Sequence, residues 1–277
     1  METKDLTIII ATFKSDDKIL SCLNSISDNF RILVIENSNN ESFKQKIEKK
    51  FPKVECFLTG GNKGYAVANN LGLSKVKSKY ALILNPDTII KNNAIENFFI
   101  TANKNPDFWL IGPAIQQNHK PNLENNGLKS VRDLKGFAIF LNLEKFEKDY
   151  FDENFFLYFE EIDLCRKVTN KKGKIFLDPS IEIIHEGASS VDQTNKDELE
   201  KNRNWHWMWS TFYFHKKHYG YLFALIKIIP KMISSIIKVI FYSLVFNKKN
   251  RDIYFYRLSG LINSVLGRKS WYRPKLD

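Results

Sequence analysis

Residues Tyr80–Thr88 read YALILNPDT, an apolar run that stops at Asn85-Pro86-Asp87. Leu82, Ile83 and Leu84 show no polar alternation, so the segment reads as a strand covered on both faces, as in a parallel sheet. Pro86 has no amide proton to give to a ladder, and the strand is expected to end there. The carboxylate of Asp87 would then stand at the carboxyl edge of the sheet, where open α/β folds bind ligands. An acid that only caps the turn is the competing reading.

The surrounding sequence repeats the pattern. Leu6–Ala11 and Arg31–Ile35 read as strands with a helix near Asp17–Ile26 between them, and a further strand is expected near Val54–Leu58. The turn Thr59-Gly60-Gly61-Asn62 follows, then a helix over Gly64–Ser74. This alternation predicts βαβ units and an α/β fold with a Rossmann-like, mostly parallel central sheet flanked by helices. Past Asp87, Asn93–Asn103 reads as a helix, Asp107–Ile111 and Gly136–Leu141 as strands, and Gln116–Asn126 as a loop. Lys171–Pro179 reads as a turn and short strand leading to Ile183-Ile184-His185. The composition changes beyond about Asp192, dividing the chain into a domain over 1–192 and a C-terminal helical extension over 193–277.

At 277 residues the chain is long enough for one large domain and an appendage. Its 42 Lys and Arg against 31 Asp and Glu leave a net charge of +11. That surplus suits nucleotides, nucleic acid or an anionic membrane face, and no nucleic-acid motif is present. Cys22, Cys56 and Cys165 are scattered without a CxxC pair, which favours reduced thiols over a disulfide frame or zinc site. The N-terminus METKDLTIII places two acids before its apolar stretch, so it does not read as a secretory signal, and a cytoplasmic protein is expected.

Tyr221–Phe246 is nearly all apolar, but Pro230 interrupts it and Lys227, Lys231 and Lys238 punctuate it. At about 100° per residue the three lysines fall within roughly 40° of one another. A narrow basic stripe on an apolar helix is expected to lie on a membrane surface, its ammonium groups snorkelling to lipid phosphates. Lys248, Lys249 and Arg251 extend the basic surface. A helix packed on the main domain and a membrane span are the alternatives. Trp205, Trp207 and Trp209 suit either a headgroup position or packing against the domain.

Carboxyl ends of parallel strands share one edge, so Thr12, Glu36 and Asp87 are expected to line one crevice. Glu36 alone reads as a capping or solvent-facing acid. A second acidic group lies in FFLYFEEIDLCRK, Phe155–Lys167. On a helix Glu160 and Asp163 share a face, while Glu161 points about 100° away. Behind a wall of Phe and Tyr such carboxylates lose water, which raises their pKa towards the range of a general base. The same letters also fit an ordinary helix N-terminus.

Six segments, TIIIATFKS, ILVIENSNN, GGNKGYAVANNLGL, LILNPDT, FDENFFLYFEEIDLCRKV and IIHEGASS, span roughly residues 6–190. In this order the chain resembles the family 2 glycosyltransferases, especially bacterial rhamnosyltransferase-like members. The resemblance implies a GT-A fold, with a donor half over about 1–90 and an acceptor half over about 91–192. It implies an inverting, metal-dependent hexosyltransferase that uses a dTDP- or UDP-sugar. The implied acceptor is a hydroxyl of a cell-surface polysaccharide or lipid-linked glycan, met at the inner face of the cytoplasmic membrane. Thr12 and Glu36, the latter where Asp is usual, match positions that hold the pyrimidine and ribose. Asn62, Lys63 and Gly64 match the loop covering the donor. Asp87 matches the last acid of an Asp-x-Asp motif whose first acid is here Asn85. His185 matches the histidine that completes the metal site, Mg²⁺ or Mn²⁺ with Asp87, or the diphosphate site. The base falls on Glu161, with Glu160 beside it, where the family has Glu-Asp. Arg166 matches a basic position that orients an acid or meets phosphate, and Asp163 lies on the same helix.

Three other classes stay open. A sugar-phosphate nucleotidyltransferase would carry a glycine-rich basic loop after its first strand, whereas Thr12-Phe13-Lys14-Ser15 has no glycine. A non-catalytic basic protein that binds nucleotide or membrane is permitted by the charge. A degenerate transferase is permitted by Asn85 and Glu161, which both depart from the family's spelling.

Overall fold

In a computed structural model, described over residues 3–91, 93–114, 127–185 and 196–273, the chain divides into two compact units. The α/β unit comprises Met1–Asp152 and Glu161–Ser190, and the helical unit comprises Glu153–Glu160 and Val191–Asp277. The octapeptide 153–160, expected in the acceptor half, thus groups with the C-terminal helices. The Gln116–Asn126 loop and the Glu186–Ser190 end of the IIHEGASS segment lie outside the described residues, as does the boundary near Asp192.

The α/β unit runs β1 (Leu6–Thr12), α1 (Asp16–Asn24), β2 (Arg31–Glu36), α2 (Glu41–Lys50), β3 (Val54–Leu58), α3 (Tyr65–Ser74) and β4 (Tyr80–Leu84). It continues through β5 (Thr88–Ile90), α4 (Ala94–Lys104), β6 (Phe108–Pro113), β7 (Lys129–Ser130), β8 (Ala138–Asn142), α5 (Glu160–Asn170), β9 (Lys174–Asp178) and β10 (Ile183–His185). Eight strands form one sheet in the order β3-β2-β1-β4-β8-β6-β9-β7. The pairs β3-β2-β1-β4 and β6-β9 are parallel, while β8 runs antiparallel to both β4 and β6, and β7 antiparallel to β9. The antiparallel β8 was not expected from its sequence.

Both faces of the sheet are covered, which is why the strands read as unbroken apolar runs. Ile8 and Ile10 of β1 pack with Ile19, Phe43 and Phe98 on one face. Ile9 points the other way, into a core with Ala66, Leu164 and Val168. The three cysteines are buried and free, and the thiol of Cys165 is pushed up to about 12 by burial.

The helical unit holds α6 (Lys196–Tyr219), α7 (Tyr221–Leu244) and α8 (Lys248–Val265) around Met208, Phe212, Ala224, Ile228 and Leu261. Trp205 and Trp209 are buried there, Trp205 donating to Ser259 Oγ at 3.2 Å, so these two indoles are packing residues, and of the three α6 tryptophans Trp207 is the exposed one. The octapeptide 153–160 joins this unit through the Phe155–Tyr213 and Phe156–His206 ring contacts and a bond from Ser210 Oγ to Leu157 O at 3.0 Å. Within it Tyr158 and Phe159 both have left-handed backbones, φ 70° and 72°. For aromatic residues this conformation costs about 1–2 kcal/mol each and needs a surrounding structure to hold it.

The basic stripe of α7 differs from expectation. Lys238 is half-buried, donates to Tyr254 Oη at 3.0 Å and lies over that ring, so it ties α7 to α8 rather than reaching outward. Among the described residues no helix is long and apolar enough to cross a membrane.

Candidate active site

The parallel trio β2-β1-β4 aligns three strand ends. Thr12 is in register with Glu36, and the N–H of Asn37 donates to Thr12 O at 2.8 Å. Thr12 Oγ1 is buried and has no hydrogen-bond partner among the described residues. A buried hydroxyl is normally paired, so this atom is a natural contact for a bound ligand.

Glu36 is not solvent-facing. Its carboxylate accepts from the N–H and hydroxyl of Ser38 and from the N–H of Asn40, so it fastens the turn leading into α2. The next residue does more than sequence reasoning credited. Asn37 Oδ1 accepts from Thr59 Oγ1 at 2.8 Å and from Lys63 N at 2.9 Å, while its Nδ2 donates to Gly64 O at 3.2 Å and Asn62 Oδ1 at 3.4 Å. One buried amide, with its donors and acceptor lone pairs all used, moulds the 59–64 loop. The clue lay in the segment ENSNN, where a polar residue directly follows a buried strand. Gly64 ends the loop with φ 91° and ψ 174°, a conformation open only to glycine, and α3 starts at the next residue.

After β4, Thr88 N and Oγ1 both donate to Asn85 O, closing the Asn85-Pro86-Asp87 turn. The chain then forms β5, which was not expected, and β5 pairs antiparallel with β10 so that His185 lies opposite Thr88. This small second sheet brings His185 Nε2 to 3.3 Å from Asp87 Oδ1. The Asp87 carboxylate is buried and the imidazole partly exposed. Asn85 Nδ2 approaches the same Nε2 at 3.5 Å.

An amide nitrogen only donates and a carboxylate only accepts, so one Nε2 cannot satisfy both neighbours in a single tautomer. A divalent cation between Asp87 Oδ1 and the Nε2 lone pair would satisfy those two atoms, with the Asn85 amide turned to another acceptor, and oxygen with imidazole suits Mg²⁺ or Mn²⁺. The donor set fits such an ion as a pair of protein ligands. Among the described residues no group of three or more His, Cys, Asp or Glu gathers to hold one without further help.

Gly136 and Phe137, just before β8, connect this corner to the acid pair. Phe137 O accepts from Asn85 N at 2.9 Å, and its ring stacks on His185 with centroids 4.8 Å apart. Tyr65 Oη, at the start of α3, donates to Gly136 O at 2.6 Å. A Cβ built on Gly136 would lie 3.5 Å from the Glu161 side chain, so Glu161 borders the same post. Glu161 keeps part of its surface accessible, yet burial pushes its carboxyl above the usual range, against its own N–H and nearby Lys135. Glu160 and Asp163 are almost fully buried, and Arg166 on α5 is half-buried. The accessible member of the acid pair is therefore Glu161.

The family model described as Glycosyl transferase family 2 matches residues 7–165. The low-salt glycan biosynthesis hexosyltransferase Agl10 of Haloferax volcanii is 27% identical over 217 residues, covering 69% of each chain. The rhamnosyltransferase WbbL of Escherichia coli is 23% identical over 247 residues, covering 74% of this chain and 90% of that one. A structure of GalNAc-T7 with UDP, GalNAc and Mn²⁺ superposes with TM-score 0.54 at 14% identity, covering 73% of this chain, which spans only 50% of the other. That likeness places the α/β unit in the GT-A fold.

Proposed function

The chain belongs to glycosyl transferase family 2, and we propose that it moves a sugar, with inversion, from a nucleotide-diphosphate donor to a glycan hydroxyl. The donor is of the dTDP-rhamnose type, with UDP-sugars as the other class, and the acceptor is a surface polysaccharide or lipid-linked glycan. The similarity to a protein named as a rhamnosyltransferase supports the sugar. The observation that carries the reading is the convergence of the Asp87–His185 pair and Glu161 on the Gly136-Phe137 post.

Thr12 Oγ1 would meet the base and ribose with Glu36 behind it fastening the turn into α2, and Asn37 would hold Asn62, Lys63 and Gly64 over the donor. Asp87 and His185 would hold Mg²⁺ or Mn²⁺, whose charge would offset that of the departing diphosphate. Glu161 takes the proton of the acceptor hydroxyl. Burial raises its pKa, which makes its ionised form a stronger base than an ordinary carboxylate. The freed oxygen attacks the anomeric carbon from the side opposite the diphosphate. One displacement with no sugar–enzyme bond inverts that centre. Glu160, buried beside Glu161, is a structural acid in this reading.

We place the enzyme at the inner face of the cytoplasmic membrane, where a lipid-linked acceptor is within reach. The test is release of nucleotide from UDP-, dTDP- and GDP-sugars with Mn²⁺ or Mg²⁺. Release of dTDP is the expected outcome. Absence of release from every donor, together with no calorimetric binding of UDP or dTDP, would overturn the proposal.

A further inference from the structure

All but Ile100 and Leu128 of the large apolar side chains exposed among the described residues fall in the helical unit. They are densest on α7. Leu222, Ile226, Ile229, Ile233, Ile237 and Ile240 recur every three or four residues and range from 42% to 74% exposed. They form a row along a helix of 24 residues, about 36 Å long. The opposite side, marked by Ala224, Ile228 and Ser235, is buried within the helical unit. Single exposed apolar residues need no explanation, but a contiguous row this long on a water-facing surface does.

The row has further order. Aromatic side chains flank it: Phe223 and Phe241 lie about 80° round the helix, and the 93% exposed Phe246 follows just past the end of α7. No Asp or Glu occurs in α7. Lys227 and Lys231 stand exposed roughly 140° round the helix from the row, at about 100° per residue. Both lie close enough to His215 of α6 to hold its pKa down, after burial, and Lys216 and Lys217 follow on that helix.

From this we infer that the Leu222–Ile240 row of α7 is a docking face for a lipid bilayer surface with anionic headgroups, on which the helix lies flat. The inference rests on the proposed lipid-linked acceptor, and it names the surface through which the enzyme would reach it. Phe223 and Phe241 beside the aliphatic row widen the apolar face that a flat helix sinks into the boundary between headgroups and acyl chains. The lysines, set away from the row, attract anionic lipid over a Debye length of about 8–10 Å rather than by contact.

A second copy of the chain would fit less well. A helix–helix seam is narrow and flanked by charged residues that set its register. Here the neighbours of the row are Pro230, Phe223, Phe241 and Leu244, which widen the apolar face instead. Pro230 also interrupts the regular repeat that a supercoil requires.

Flotation of the full chain with phosphatidylcholine vesicles, with and without phosphatidylglycerol, tests the inference. The chain should float with the anionic vesicles and much less with the neutral ones. Ile233→Glu combined with Ile240→Glu, both at exposed positions, should cut flotation about tenfold or more, since charges on the apolar face oppose insertion. Lys227→Glu with Lys231→Glu should remove the preference for phosphatidylglycerol. Nucleotide release without vesicles should be unchanged in both variants, so loss of flotation and loss of transfer chemistry are read separately. Failure of the wild-type chain to float, or undiminished flotation of the isoleucine variant, would overturn the inference. So would a dimer in light scattering that the isoleucine variant dissolves, since the row would then belong to a second copy.

Discussion

Asp87 Oδ1 and His185 Nε2 stand 3.3 Å apart because two three-residue strands, β5 and β10, pair antiparallel beside the main sheet. The pairing fixes His185 opposite Thr88, and Phe137 stacks on the imidazole from just before β8. Backbone ladder and ring stack together hold the histidine over the carboxylate.

If this pair binds the cation, Asp87→Asn should lower nucleotide release by about a hundredfold or more, the scale of losing one charge-stabilising group. His185→Ala should weaken Mn²⁺ binding in calorimetry by about ten- to a hundredfold. Chelator should reproduce the Asp87→Asn loss in the wild type. Equal turnover with and without chelator would remove the metal from the site.

The raised pKa of Glu161 predicts both a rate profile and a stability profile. A base acts when ionised, so turnover should rise with pH through a midpoint above the ordinary carboxylate value of about 4.3. For stability the folded chain holds the Glu161 proton to a higher pH than the unfolded chain does. Folding therefore loses stability as pH climbs from the unfolded value to the folded one, and the deficit persists above that window. Glu161→Gln should lower kcat by about 10²–10⁴-fold and raise the Tm at pH 7 but not at pH 4. If Glu160→Gln damages kcat more, the base is Glu160.

The strand–helix alternation was legible because strands covered on both faces carry continuous apolar runs, as in IIIAT of β1 and ALIL of β4. Thr12, Glu36 and Asp87 could be placed at one edge by the same logic, since parallel neighbours end together. The direction of β8 was not legible, because an apolar run is the same read forwards or backwards. The β5–β10 pair was hidden for a different reason: its strands are three residues long and pair across nearly a hundred positions. The three lysines of α7 were visible as a stripe. Which side faces outward is decided by packing within the helical unit, and that put Lys238 on Tyr254.

Asn37 should behave as a positioning residue for the donor loop. Asn37→Ala leaves the Lys63 N–H without its acceptor and Gly64 O with only the Ala68 N–H. A buried unpaired polar group costs about 1–3 kcal/mol, and here part of that cost appears as loop disorder. The donor KM should rise about tenfold or more while kcat with saturating donor falls much less. Asn37→Asp keeps the acceptor but offers no donor to Gly64 O, so it should rescue only part of the KM. A fall in kcat with unchanged KM would contradict the assignment.

Gly260 tests the helical unit without touching the site. A Cβ there would lie 2.2 Å from the backbone oxygen of Trp205, so α6 and α8 cross with no room for a methyl group. The obstacle is main chain and cannot rotate aside. Trp205 is itself anchored, its ring fully buried and its indole bonded to Ser259 next to the glycine. Gly260→Ala gains about 1 kcal/mol of helix propensity, but overpacking of this kind costs about 1–3 kcal/mol and sometimes more. The steric cost wins because all the nearest atoms are Trp205 main chain. The variant should show a Tm several degrees lower and, if the helical unit melts separately, a first transition that moves while the second stays. Nucleotide release below that transition should persist. A Tm equal to or above wild type would mean that α6 and α8 are not held this close in solution.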